Sequence, residues 1–272
     1  LKRKIPVNTF DSTTYTDIAS KKIGNGIPIG YGIIQGAMAV CVNDEEVAPS
    51  EYNFVFVDTS LHEIESINQV YVNGEEVSHS NGSTANGTFD ISTSDYKKNN
   101  KVTVDYNGYI DGDTNLIENP MDIIADLLLI YDGKAFIDDY FDTTTWDSVK
   151  IGLADTALSI AKPIVLIKAI IMLTRSFFGT FKLNGEGKFT MLILDLTAEV
   201  SKLIGNHELL QLAKKKNDDE SYMSSVSVGY NQEWESKESP KYINTDDEEI
   251  LTGRYRNYEQ KDFMTTLIAE SD

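Results

Sequence analysis

Three glycines, at positions 30, 32 and 36, punctuate the run IPIGYGIIQGAMAVCV (27–42), just after Lys21–Lys22 and a Gly-Asn-Gly turn. Glycines let backbone N–H groups close around a phosphate, provided a helix N-terminus follows to hold the charge. Here Gly30-x-Gly32-x-x-x-Gly36 has the wrong last spacing for a dinucleotide fingerprint, and Ala37–Val42 reads as strand. The glycines are therefore expected at strand bends or close backbone approaches. Asn184–Lys188 (NGEGK) lacks both the upstream glycine of a P-loop and a Ser or Thr after the lysine, where Phe189 stands, so it reads as a tight turn.

The metal chemistries fare no better. His62, His79 and His207 are the three histidines, widely spaced and in unrelated surroundings. His207-Glu208 begins like a zinc-protease helix, but position 211 is Gln where the second histidine belongs. Asp111–Asn115 (DGDTN) offers oxygens suited to Ca²⁺ without the periodic ligands and terminal Glu of a calcium loop, so an acidic turn is expected. Cys41, the single cysteine, lies in an apolar run and reads as a buried structural thiol. No G-x-S-x-G elbow occurs, and 43 acidic residues make an incidental carboxylate pair uninformative. Asn81-Gly-Ser and Asn86-Gly-Thr fit the glycosylation sequon but read as turns. No catalytic, cofactor-binding or metal-ligating residue is assigned, and the chain reads as a non-enzyme.

The elements that carry these residues are mostly strands. Tyr52–Val57 is apolar on both faces, INQVYVNGEEV centres a hairpin on Asn73-Gly74, and GTFDIST and KVTVDYNG alternate apolar with polar residues. A β-barrel-like or sandwich domain is expected over 21–115, preceded by an extended arm over 1–20 that packs on a neighbour. Asn119 as N-cap, Pro120 at the first helical position, Asp122 in the first turn and a closing Gly133 predict a helix. A second helix is predicted through 148–161 and a third over 163–181, together a helical insert over 116–180. The third is long enough to cross a membrane, but Lys168 and Arg175 fall inside it, while Leu166, Ile170, Leu173 and Phe177 share another face. It is predicted to be a core helix with a polar ridge. A second β-rich domain is expected over 181–272, with a hairpin at Asn184–Gly187, a short helix over 208–219 and a strand over 224–232. The fold class is α+β, rich in strand.

Charge limits function further. Lys and Arg number 24 against 43 Asp and Glu, a net charge of −19, which repels phosphate backbones and argues against a nucleic-acid reader. Nothing at the start reads as a signal peptide, and the ends read as those of a trimmed piece.

Taken in order, these segments resemble the tail-tip (baseplate) hub proteins of tailed bacteriophages and prophages. IPIGYGIIQGAMAVCVN is similar to the family's opening segment, VYVNGEEV and GTFDIST to its turn-and-strand units, and KVTVDYNGYIDG to the strand closing its first domain. NPMDIIADLLL matches the helix that follows, LNGEGKFTMLIL a later hairpin, and SSVSVGYNQEWES a later strand, with Ser225 where Asn is common. The family continues past the point where this sequence stops, which implies a truncated C-terminal domain. The resemblance implies a virion structural protein, made in the host bacterial cytoplasm. It would form a ring, a trimer above all, between the tail tube or distal tail protein and the fibres or spike. Acidic residues facing an axial channel would let DNA pass without adhering. The alternative is a carbohydrate- or receptor-binding β-module of a tail fibre or adhesin, with Tyr222, Tyr230, Trp234, Tyr242, Tyr255 and Tyr258 as a sugar platform.

Overall fold

The computed structural model describes residues 2–177 and 179–193, together with the strand segments 225–230, 241–246 and 260–264. Strand outweighs helix, and the fold is α+β. Ten strands run in order before the first helix: β1 (Lys4–Ile5), β2 (Ile29–Tyr31), β3 (Ile33–Met38), β4 (Val40–Cys41), β5 (Glu51–Val55), β6 (Ile64–Val72), β7 (Glu75–Val77), β8 (Ser80–Ser83), β9 (Thr88–Ser92) and β10 (Val102–Tyr109). Eight of them, β3 to β10, build two four-stranded antiparallel sheets, ordered β3-β10-β6-β7 and β4-β5-β9-β8. The chain changes sheet at both edges, between β3 and β4 at Ala39 and again between β7 and β8. The two sheets are thus joined covalently along both sides, yet none of the described sheets closes its hydrogen bonds into a barrel.

Alternation decides which side chains meet between the sheets. Val102, Val104 and Tyr106 of β10 and Phe89 and Ile91 of β9 are all buried, as the period-two pattern predicts. Phe56, just beyond β5, packs edge-on against Tyr106 at 5.0 Å between centroids, and Phe54 stacks on Phe89 at 5.4 Å. At the β6–β7 turn Asn73 and Gly74 both take positive φ (54° and 86°), the requirement of a type I′ hairpin.

The N-terminal segment expected as an extended arm packs on its own chain. Residues 2–20 fold back onto their own chain: β1 pairs with the later strand β12 (Ile164–Val165), and Thr9 bridges Gly26. Phe10 and Ile18 form a small core with Ile27 and Val55, on the far side of β5 from Phe54. This explains why β5 is apolar on both faces. Lys22 fastens the segment, its Nζ 2.6 Å from Asp44 Oδ2 and 3.0 Å from the Cys41 carbonyl, while Asp44 Oδ1 also accepts from the Ala19 N–H at 2.8 Å.

The glycines of the opening run build, as expected. Gly32 has φ of 68°, and a Cβ there would overlap the Thr156 carbonyl oxygen. A Cβ on Gly30 would strike the Tyr106 hydroxyl. Gly36, also at positive φ, donates its N–H to Asp105 Oδ1 at 2.7 Å beside a register shift between β3 and β10.

Helix α1 (Pro120–Asp132) starts and stops where its signals sit. Asn119 accepts from the Met121 N–H at 3.0 Å, and Gly133 ends it in the left-handed region. The predicted second helix is shifted. Helix α2 spans Thr143–Lys150 because Asp142 caps it through the Thr145 N–H, and Leu158–Ile160 is instead strand β11, paired with β2. The predicted 163–181 helix is shorter too. Ile164–Val165 is taken by pairing with β1, α3 runs Leu166–Ser176, and Gly179–Leu183 forms strand β13. Within α3 the expected face holds: Leu166, Ile170, Leu173 and Phe177 are buried, and Lys168 and Arg175 exposed. Among the described residues no helix is long and apolar enough to cross a membrane.

Strand β13 pairs with β14 (Phe189–Ile193) across the Asn184–Gly187 turn, where Asn184 Oδ1 accepts from the Glu186 and Lys188 N–H groups. One hydrophobic core runs from Ile5 through both four-stranded sheets and the three described α-helices to Met191. The last sheet has β15 (Ser225–Tyr230) at its centre, antiparallel to β16 (Lys241–Asp246) and parallel to β17 (Gln260–Met264). The predicted helix over 208–219 lies outside the described residues.

Candidate functional site

Helix α1 has two faces. Met121, Ile124, Leu127 and Leu128 are buried, whereas Asp122, Ala125, Asp126 and Leu129 follow helical spacing along the opposite side. That second face forms one wall of a cleft of about 500 Å³. The turn between β10 and α1 supplies Asp111, Asn115, Leu116 and Ile117, helix α2 supplies Trp146, Asp147 and Lys150, and Phe136 closes the side. An aromatic cluster sets the α2 wall: Trp146 meets Phe141 edge-on at 5.0 Å, and Phe141 lies 5.5 Å from Phe189 of β14.

The walls are one-sided in charge. Four carboxylates face one ammonium, and that Lys150 ammonium is held by Asp122 at 2.7 Å. Backbone N–H groups of Asn115 and Asp113 hold the Asp111 carboxyl below its usual range. Those same bonds, at 2.9 Å each, make DGDTN a self-satisfied turn. Asp147 is exposed, and its carboxylate has no partner among the described residues. Large apolar side chains stand open at the mouth: Leu129 is 49 % exposed and Phe136 41 %, with Ile137 and Tyr140 exposed in the adjoining loop. Trp146 is 1 % exposed, and its indole N–H has no hydrogen-bond acceptor among the described residues.

Asp126 joins the cleft to a buried polar network. Its carboxylate accepts from the Tyr31 hydroxyl at 2.7 Å, and His62 Nε2 lies 3.1 Å from both oxygens, so that nitrogen carries the proton. Tyr109 packs edge-on against Tyr31 at 5.0 Å and donates its hydroxyl to the Asp58 carbonyl. Burial drives the Tyr31 and Tyr109 phenols well above their ordinary range, with Asp126 and Asp58 adding to it respectively. The Tyr131 phenol, pushed up to about 12 by burial, has no hydrogen-bond partner among the described residues. The arrangement locks α1 onto the sandwich.

The sequence candidates do not converge here. His62 joins the network, His79 packs against Phe89 on the far sheet, and His207 lies outside the described residues. Among the described residues no group of three or more His, Cys, Asp or Glu is placed to hold a metal ion. Cys41 is buried, with its thiol pushed up to about 11 by that burial, the state of an inert structural cysteine. Tyr230 and Tyr242 fall on the paired strands β15 and β16, and the remaining platform residues Tyr222, Trp234, Tyr255 and Tyr258 lie outside the described residues. Sequence reading missed the cleft altogether. The signal available was the Asp122-Asp126-Leu129 stripe, which carries two acids and one leucine on the face that is not buried. Compared with known proteins, the chain matches no family model and no curated sequence.

Proposed function

We propose that this protein is a structural component of a phage tail tip, a hub subunit that assembles as a ring between the tail tube and the fibres or spike. The observation that carries the reading is surface chemistry. A strongly acidic chain leaves large apolar side chains open in several places: Leu129, Phe136 and Ile137 at the cleft, Ile171 and Met172 on α3, and Leu183 and Leu192 on the β13–β14 hairpin. Clusters of that kind on a charged surface mark contacts with other proteins. The order of elements adds support, since a two-sheet unit, a capped helix and a turn-linked hairpin follow one another as the resemblance implies. In this reading the body is a rigid spacer, its carboxylates keep DNA from adhering to the axial channel, and the apolar side chains on α3 and the β13–β14 hairpin meet neighbouring subunits.

The test is particle imaging of the full chain, alone and with the tail proteins encoded beside it. A closed ring, a trimer above all, with carboxylates lining the lumen supports the proposal. A neutral or basic lumen, with the acids on the outer wall, removes the role given to the charge. A monomer that binds glycans on an array removes the hub.

A further inference from the structure

We infer that the cleft between α1, α2 and the 111–117 turn is the docking site for a lysine- or arginine-bearing, leucine-rich segment of a different protein. This deepens the assembly reading by naming the chemistry of one partner. Charge complementarity is the first argument. Two of the four wall carboxylates, Asp111 and Asp147, have no ion-pair partner among the described residues, because Lys150 is engaged by Asp122 and His62 faces Asp126.

Shape and desolvation form the second argument. Leu116, Ile117, Ala125 and Leu129 give an apolar wall against which the methylene stem of a long basic side chain can lie. Phe136, 41 % exposed at the side, offers an aromatic face to the cation. The buried Trp146 N–H lacks an acceptor among the described residues, and a peptide carbonyl is an acceptor that a basic segment brings with it. A second copy of this chain is the poorer occupant. With net −19 on each copy, homotypic approach to an acidic cleft meets long-range repulsion.

Two exposed positions probe the site without touching the buried network. The probes are equal-length capped peptides, one alternating leucine and lysine and one alternating leucine and glutamate, with spermine as a small polycation, titrated by calorimetry against the full chain. The Leu-Lys peptide is expected to bind in preference to both others. Asp147→Lys should weaken it about tenfold, and Leu129→Ser several-fold. Glu75→Lys, the same charge change on the exposed β7 edge, should leave the affinity within about twofold, and unchanged melting curves certify the fold of each variant.

Equal weakening by Asp147→Lys and Glu75→Lys would reduce the binding to diffuse charge and overturn the inference. Spermine binding as tightly as the Leu-Lys peptide would overturn the peptide assignment. So would self-association of the chain that Asp147→Lys abolishes, which places a second copy in the cleft. Lost peptide binding with an intact ring refutes this inference alone, and intact binding without a ring refutes the hub reading alone.

Discussion

Replacing Tyr106 by phenylalanine should stabilise this protein, and more so in alkali. Tyr106 sits at the centre of the sandwich, fully buried on β10, with its ring against Phe56. Its hydroxyl points at Gly30 and has no hydrogen-bond partner among the described residues. A buried hydroxyl without a partner costs roughly 1–3 kcal/mol, against which the small void left by its removal must be set. The expected net gain for Tyr106→Phe is about 1 kcal/mol at neutral pH.

The pH dependence supplies the sharper half. Burial raises the Tyr106 phenol far above its ordinary range. The native state therefore keeps that proton while the unfolded chain releases it from about pH 10 upward. The unfolded state then binds fewer protons, so stability falls as pH rises, by about 1.4 kcal/mol per such tyrosine at pH 11. Tyr31 and Tyr109 are raised for the same reason, so the three together should cost the parent about 4 kcal/mol between pH 8 and pH 11, and Tyr96 and Tyr131, raised to about 12, add to that loss. Tyr106→Phe should lose about 1.4 kcal/mol less than the parent.

Guanidinium denaturation at pH 8 and pH 11, followed by circular dichroism, measures both quantities. A variant less stable than the parent by 1 kcal/mol or more at pH 8 would mean that the hydroxyl has a partner, and the reasoning fails. So it does if parent and variant lose stability equally in alkali.

Other perturbations test other joints of the structure. Asp44→Ala removes the partner of a largely buried Lys22 ammonium and the acceptor of the Ala19 N–H, and should cost about 3 kcal/mol in a denaturant titration. Replacing the pair together, Lys22→Met with Asp44→Leu, should recover most of that loss. Phe10→Ala opens the small core on the outer face of β5 and should cost about 3 kcal/mol, with faster amide exchange over residues 4–27 in the isolated chain. Unchanged exchange would return that segment to the neighbour-packing arm that the sequence suggested. Gly32→Ala places a Cβ into the Thr156 carbonyl at a positive φ, and should cost about 3 kcal/mol or prevent soluble expression.

Local chemistry was readable wherever one residue type dictates one backbone state. The Asn73-Gly74 hairpin, the Asn119 cap with Pro120 and Gly133, the Asn184–Gly187 turn and the β9 and β10 alternation all fell where their signals placed them. The signals failed where a short segment was claimed by a distant partner. Leu158–Ile160 continues an apolar pattern compatible with helix, yet it completes a ladder with Ile29–Tyr31, more than a hundred residues earlier. Ile164–Val165 was taken from the third helix in the same way by Lys4–Ile5. The N-terminal segment looked unpatterned because its anchors, Phe10 and Ile18, are single side chains on an irregular backbone. The cleft was invisible for a related reason, since its walls come from three segments that only the fold brings together.

The central claim is assembly, and the mass of the folded particle tests it most directly. Native mass spectrometry of the full chain, across a concentration series and at two ionic strengths, should find a discrete closed oligomer, a trimer above all. Raising salt should favour it by screening the −19 charge of each copy. A chain that stays monomeric at every concentration and salt, alone and with its neighbouring tail proteins, would contradict the account.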